Sequence, residues 1–435
     1  MHDGRLVEAL RTHKPTRRVA TAALSALLAG PTQAERASGL TTAIPGDTRP
    51  NGVTIANGVA HVDLTSDFES VGGSRSQQLR LAQVVYTLTQ FPTVKAVRFS
   101  LDGSPVSVVS GSGNVVGHAV GRDDYRGLAP VATPLAGSWR GLPPSPFGAL
   151  TSRASVWTGK ELLLLGRAAG ARTVFAAYAP GHGWRRLPPP RGLGRSFRVA
   201  WTGRELIAWG STVTAYSPAS GRWQPLPSPP AAGPPRLVAW TRRELIGWTS
   251  SGGAAYRPHE GWRSLPKAPL AGASAWTGKE LIVVSAESAA AFSPGHGWHR
   301  LPPPPLPRPG ARAVWDGEEL LVVGGRSAPP VGLAYSPTNN AWRELAPTDS
   351  GRRGAAVVWT GSRLLLWGGE TGSPGGFVIP PHGVAYDPKA DRWSPLPQAP
   401  LRGRRDPVGV WTGRSLLVWG GDPGFEDGAS FTPSR

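Results

Sequence analysis

In the first part of the chain, apolar positions follow first a helical and then a strand period. Ala20, Ala23, Leu24, Leu27 and Leu28 fall at i, i+3, i+4, i+7 and i+8, one face of a helix. Thr16 is placed to cap its start and Gly30-Pro31 to stop it. Arg11, Lys14, Arg17 and Arg18 precede this stretch, so it also has the charged and apolar parts of a signal peptide; the stripe favours the helix. At residues 19–30 it is too short to span a bilayer. An extended run at 53–55 meets Asn57-Gly58, a strong hairpin signal, and Ala60, Val62 and Leu64 then alternate with His61 and Asp63. Ser74 or Ser76 can cap a second helix in which Leu79, Ala82, Val85, Tyr86 and Thr89 share a face. That helix must end near Phe91-Pro92. Val97, Phe99 and Leu101 alternate next and run into Asp102-Gly103, a further hairpin turn. The pattern predicts a small α+β domain over residues 1–127 and a linker over 128–138 (LAPVATPLAGS), small, uncharged and Pro-containing.

Beyond the linker, three motifs recur in strict rotation. The first is Trp-x-Gly or a near variant, at Trp157, Trp201, Trp240, Trp276, Trp315, Trp359 and Trp411. The second is aromatic-x-Pro, at Tyr178, Tyr216, Tyr256, Phe292, Tyr335, Tyr386 and Phe431. The third is Trp-x-x-Leu followed by Pro, at Trp139, Trp184, Trp223, Trp262, Trp298, Trp342 and Trp393, with Ala346 intervening before Pro347. Successive Trp-x-Gly motifs lie 44, 39, 36, 39, 44 and 52 residues apart, the length of a four-stranded propeller blade. In one unit, Ala355 to Trp359 forms a first strand, Leu364 to Gly369 a second, Gly383 to Tyr386 a third, and a fourth starts at Trp393. The order also predicts closure. The first motif met is a fourth-strand type at Trp139, and the last unit stops at Phe431-Thr432-Pro433 without one. Residues near Trp139 should therefore complete the blade of Trp411 and Phe431, giving seven blades over residues 139–435 and no open ring edge.

Composition sharpens this division. A chain of 435 residues favours more than one domain. Gly 57 and Pro 46 approach a disordered composition, but 18 Trp do not fit disorder, and all of them lie at or beyond Trp139. Cys is 0, which excludes disulfides, thiolate metal sites, a cysteine nucleophile and a lipid-modified cysteine within the chain. The net charge is +19, and 41 of the 47 basic residues are Arg. Residues 1–130 hold 13 basic and 10 acidic residues, whereas the rest holds 34 and 18.

The runs 27–48 (LLAGPTQAERASGLTTAIPGDT), 58–68 (GVAHVDLTSDF) and 80–103 (RLAQVVYTLTQFPTVKAVRFSLDG) resemble a GerMN domain, the sporulation and spore-germination family. The resemblance covers most of residues 5–127, most specifically at Thr89 to Pro92 and the strand after it. It implies a non-catalytic α+β module, usually outside the cytoplasmic membrane behind a signal peptide or lipid anchor. His2-Asp3-Gly4-Arg5-Leu6 looks like the end of that family's first strand, so an upstream segment is expected. Residues 139–435 are similar to kelch repeats and the related galactose-oxidase-type propeller, with Gly-Gly intact at Gly324-Gly325, Gly368-Gly369 and Gly420-Gly421. The quinoprotein repeat fits less well, because Trp393 follows Asp387 too closely.

No catalytic constellation is visible in the sequence. Copper oxidases on this fold need a cysteine-modified tyrosine, and no sialidase box, P-loop or Rossmann fingerprint occurs. The tryptophans, including Trp209, Trp248, Trp367 and Trp419 on second strands, read as blade packing. His182, His296 and His259 sit in turns of separate units, and Asp63, Asp67 and Glu69 in a solvated turn. No catalytic residue, cofactor or metal is therefore expected. Arginine has a directional reading. Arg153, Arg198, Arg236, Arg312 and Arg353 precede the Trp-x-Gly tryptophans by three to six residues, at the start of the strand that lines a propeller's channel. They are the candidate anion- or partner-binding residues, since the guanidinium fork suits carboxylate and phosphate. Their competing reading is a surface compositionally rich in Arg. Arginine spread over every blade argues against a nucleic-acid groove.

The sequence thus predicts a non-enzymatic envelope binding or scaffold protein. Its GerMN-like domain would dock an envelope protein, and its rim would bind that partner, an anionic wall polymer or lipid headgroups. Actinobacterial lipoproteins that join such a domain to a propeller, accessory partners of sensor kinases, are the resemblance behind this. The location would be extracytoplasmic given an upstream signal, and cytoplasmic otherwise. The alternative is a propeller enzyme acting on carbohydrate, which needs a carboxylate pair facing across the channel.

Overall fold

The computed structural model describes residues 1–435 except 2–5, 10, 12–15, 17, 38, 71, 92, 129–133, 169, 171, 326–330, 348–351, 374–375 and 435. The expected strand end at His2 to Arg5, Lys14, Arg17, Pro92 and most of the first half of the linker lie outside the described residues. The chain divides into two compact units, Met1–Thr133 and Pro134–Arg435.

In the first unit, α1 (Val19–Leu28) buries Ala20, Leu24 and Leu28, the face its spacing predicts. Thr16 does not cap it. Arg18 is the N-cap residue, and the Thr16 hydroxyl accepts the Arg18 amide at 3.1 Å, before the helix begins. Gly30 stops the helix as expected, at φ +71 with its amide on the Leu27 carbonyl. The short α2 (Gln33–Ala37) opens on a capping box. The Thr32 amide donates to Glu35 Oε2 at 2.7 Å and the Glu35 amide to Thr32 Oγ1 at 3.2 Å. The strands β1 (Pro50–Ala56), β2 (Val59–Leu64), β3 (Ala96–Leu101) and β4 (Ser104–Pro105) form one sheet in that order. Both predicted hairpin turns form, with Asn57, Gly58, Asp102 and Gly103 all at positive φ. The pair β2 and β3 is parallel, and α3 (Ser74–Leu88) crosses between them. Gly73, not Ser74 or Ser76, is the N-cap residue of α3, and no side chain caps it. Ala60, Val62, Leu64, Val97 and Phe99 are buried beneath α1 and α3, each larger side chain contributing about 1.5–3 kcal/mol.

Arg11 ties this unit together. Its guanidinium donates to Glu35 Oε1 at 3.0 Å and Oε2 at 2.6 Å, and to the Ala26 and Gly30 carbonyls at the end of α1. The hydrogen bonds from Arg11, then that from the Thr32 amide, hold the Glu35 carboxyl down at about 2. A lowered folded value stabilises above the ordinary carboxylate range and is lost as pH falls towards about 2. The helical circular dichroism of the first unit should therefore decline over that acid window. Glu35→Gln should remove that part of the slope; an unchanged acid profile would show that the pair contributes nothing.

The second unit is a seven-bladed β-propeller. Five sheets carry four consecutive strands in order, the sixth adds a short strand, Gly376–Val378, paired to its second strand, and the seventh is built from Val408–Trp411, Leu416–Trp419, Gly428–Pro433 and Gly137–Gly141. Phe431 pairs with Trp139 and Ser430 with Arg140, so the strand after the linker closes the last blade as predicted. Blades are numbered from Thr151–Trp157, the first strand of blade 1. The seven first strands neighbour one another round the ring, the last beside the first.

The repeated motifs have local causes. In blade 1, Thr158 Oγ1 accepts the amides of Lys160 and Glu161 and donates to the Glu161 carbonyl, which makes the tight Thr-Gly turn. Thr202, Thr241, Thr277, Thr360 and Thr412 repeat it, and Asp316 accepts the corresponding amides in blade 5. The fourth-strand tryptophans pack at a tilt against the aromatic-x-Pro ring of their own blade, as Trp393 does against Tyr386 at 4.9 Å. Their indole N–H groups staple that blade to the one before: Trp184 donates to the Pro143 carbonyl, Trp223 to Pro188, Trp262 to Pro227, Trp342 to Pro302 and Trp393 to Ala346. In blade 4, Trp298 has no acceptor among the described residues, and the Pro266 carbonyl is taken by Trp248 of blade 3. Trp209, Trp248, Trp367 and Trp419 are fully buried between blades.

Candidate functional site

All first strands run the same way from the loops that enter their blades. Their starting ends therefore share one face of the propeller, and this mouth is where the sequence-predicted arginines stand. Arg198 opens the first strand of blade 2 (Arg198–Trp201), and Arg236 directly precedes that of blade 3 (Leu237–Trp240). Arg312 is the second residue of the blade 5 strand (Ala311–Trp315) and Arg353 the first of blade 6 (Arg353–Trp359).

Their surroundings differ. Arg153, in blade 1, is drawn inward, with 6% of its side chain exposed. It donates to the Leu150 carbonyl, to the Asp406 carbonyl at 2.9 Å and to Asp422 Oδ1 at 3.0 Å, so it joins blade 1 to blade 7 rather than facing a ligand. Arg312 pairs with Asp406 Oδ1 at 3.3 Å. Arg353 and Arg405 converge on the buried Glu370, at 3.5 and 3.2 Å. Arg198 and Arg236 are exposed and make no ion pair among the described residues. Arg198 reaches only the adjacent Phe197 carbonyl, at 3.1 Å. The mouth is thus neutralised on the side of blades 5 to 7 and carries two open guanidiniums on blades 2 and 3.

Behind the mouth lie three arginines that the sequence reading missed. Arg308, Arg352 and Arg404 are buried at the entrances to blades 5, 6 and 7. Each donates to the carbonyl of the first glycine of its blade's Gly-Gly, sixteen residues on: Gly324 at 3.4 Å, Gly368 at 3.3 Å and Gly420 at 3.2 Å. Those glycines sit at positive φ, and a Cβ on Gly324 would stand 2.3 Å from the Arg352 carbonyl of the next blade. The signal was present as an Arg sixteen residues before each intact Gly-Gly. The remaining partners are unequal. Arg404 holds the Asp427 carboxylate at 2.7 and 3.2 Å and lies 4.1 Å over the Phe425 ring. Arg352 reaches the His382 carbonyl at 2.5 Å. Nε and Nη2 of Arg308 have no acceptor among the described residues, and burial pushes its guanidinium down.

Among the described residues, no group of three His, Cys, Asp or Glu converges as a metal site. His182 and His296 are exposed turn residues between glycines at positive φ. No helix among the described residues is long and apolar enough to cross a membrane.

Residues 3–107 match the Germane family, described as sporulation and spore germination. No curated protein matches the sequence. Among solved structures, the chain is similar to a fungal alcohol oxidase of the AA5 family in complex with copper. The two are 12% identical, with a TM-score of 0.54 over 68% of this chain and 76% of that one. This likeness shows the galactose-oxidase-like propeller fold. The residues here do not fit that protein's metal: the chain has no cysteine to modify a tyrosine, and guanidiniums line the mouth.

Proposed function

We propose that this is a non-enzymatic binding protein of the cell envelope. The Germane unit docks an envelope protein, and the propeller mouth holds an anionic ligand, the phosphates or carboxylates of a wall polymer or lipid headgroups. The observation that carries the reading is the open pair Arg198 and Arg236, exposed at the starts of neighbouring first strands while acids satisfy the other mouth arginines. A planar guanidinium binds either anion bidentately, and several at one mouth focus a positive field. The carboxylates at the mouth, Asp406, Asp422 and Glu370, are each tied to arginine, which supports binding over acid–base chemistry.

The test is sedimentation of the full chain with phosphatidylglycerol vesicles and retention on immobilised polyglutamate. Binding to one or both should fall steeply as salt rises from about 0.05 to 0.5 M. Arg198→Ala with Arg236→Ala should weaken it by about tenfold or more. Salt-insensitive binding, or a double variant that binds as well as the parent, would remove the mouth from the proposal.

A further inference from the structure

On the face opposite the mouth, the turns after the first strands of blades 1 to 5 end in a glutamate: Glu161, Glu205, Glu244, Glu280 and Glu319. In blade 1, Arg185 holds both oxygens of Glu161, at 2.8 and 2.7 Å. In blade 5, Arg343 holds both oxygens of Glu319. In blade 4, the Ser293 hydroxyl donates to Glu280 Oε2 at 3.2 Å.

Blade 3 differs from these three blades. Glu244 has only 4% of its side chain exposed, and Arg263 takes Oε1 at 2.7 Å. Arg257 stands where blade 4 has Ser293, but its Nη2 is 3.7 Å from Oε2, and its short bond goes to Glu260 at 2.8 Å. Glu244 Oε2 is therefore buried and accepts no hydrogen bond among the described residues. It lines a pocket of about 110 Å³ together with Arg257, Glu260, Trp262 and Arg263. The Trp262 indole N–H is already used by the Pro227 carbonyl at 2.7 Å, so this side chain offers the pocket an apolar wall. The adjoining turns depart from the repeat too. Arg242 and His259 hold positive φ at positions where sister blades have Gly159 and Gly181.

We propose that this pocket binds a neutral hydroxylated ligand, a saccharide residue engaged through two adjacent hydroxyls. One hydroxyl donates to Glu244 Oε2, and its neighbour accepts from the Arg257 guanidinium. The charges decide the class. Two carboxylates balance two guanidiniums, so neither a cation nor an anion gains net attraction. What is left over is one buried acceptor beside a donor, which a diol matches. Trp262 covers the C–H face of the ring. The site lies apart from the mouth and does not depend on that reading.

The full chain should be tested on an array of neutral oligosaccharides ending in glucose, galactose, mannose or N-acetylglucosamine. Retention of at least one of them, unchanged at about 0.5 M salt, is expected. Glu244→Gln turns the acceptor into a donor and should lower it by about tenfold; the surface change Arg257→Ala should do the same with the melting midpoint kept. Glu161→Gln, at the same repeat position with both oxygens held by Arg185, should leave retention unaltered. Retention of no neutral glycan, or equal losses for Glu161→Gln and Glu244→Gln, would overturn the proposal.

Discussion

Asp427→Ala is expected to destabilise the propeller by about 3 kcal/mol, far more than a surface acid normally contributes. The Asp427 side chain is 55% exposed, but its partner Arg404 is not exposed at all. Removing the carboxylate leaves a guanidinium that cannot reach water, held by backbone carbonyls at 3.0 to 3.2 Å and the Phe425 and Trp367 rings. Arg308→Met should do the opposite. That guanidinium sits at the same place in blade 5, with one long contact to Gly324 and no hydrogen-bonded carboxylate among the described residues. Exchanging it for an apolar side chain of similar length should be neutral or stabilising by about 1 to 2 kcal/mol. Denaturant midpoints followed by Trp fluorescence report this cleanly, because all 18 Trp lie in the propeller unit. Equal losses for the two variants would show that the buried arginines act through the shared glycine carbonyl alone, with no role for Asp427.

The contrast shows where a sequence stops being informative. Blade number, strand order and closure were legible because each rests on a repeated local cause. Thr158 and its counterparts turn the chain, the Trp393 type staples blade to blade, and the motif order dictates what Trp139 must pair with. The hairpins at Asn57-Gly58 and Asp102-Gly103 were legible for the same reason. The caps of α1 and α3 were not, since a hydroxyl near a helix start has several amides within reach and the backbone path chooses among them. The arginines were legible as positions but not as environments. Arg153 is buried because Asp422, 269 residues away, meets it across the ring junction. Arg198 remains open, with no ion pair among the described residues. Glu244 differs from Glu280 in its neighbours, Arg257 for Ser293 and Arg263 for His299, and the state of Oε2 depends on a separation of 3.7 Å.

Joining Arg140→Cys to Ser430→Cys is expected to raise propeller stability by about 3 kcal/mol when oxidised. These two residues are direct cross-strand partners in the closing sheet, so their backbones stand at the separation a disulfide spans. The chain has 0 Cys, so no other thiol competes. A ring closed by hydrogen bonds between its two ends can open there without breaking the sheet of any other blade, and that edge is where unfolding should begin. Trp139→Ala probes the same junction from the other side. Its indole donates to the Pro397 carbonyl at 2.8 Å and its ring meets Phe431 at 5.3 Å and Trp367 at 6.1 Å. Truncation should cost about 3 kcal/mol and speed unfolding. The disulfide should recover most of that loss, because it restores by a covalent bond the closure that Trp139 provides by packing. The measurement is the unfolding rate of four proteins (parent, Trp139→Ala, and each with the oxidised pair). If the oxidised pair slows neither, unfolding starts elsewhere, and the strand Gly137–Gly141 is an ordinary fourth strand rather than the latch of the ring.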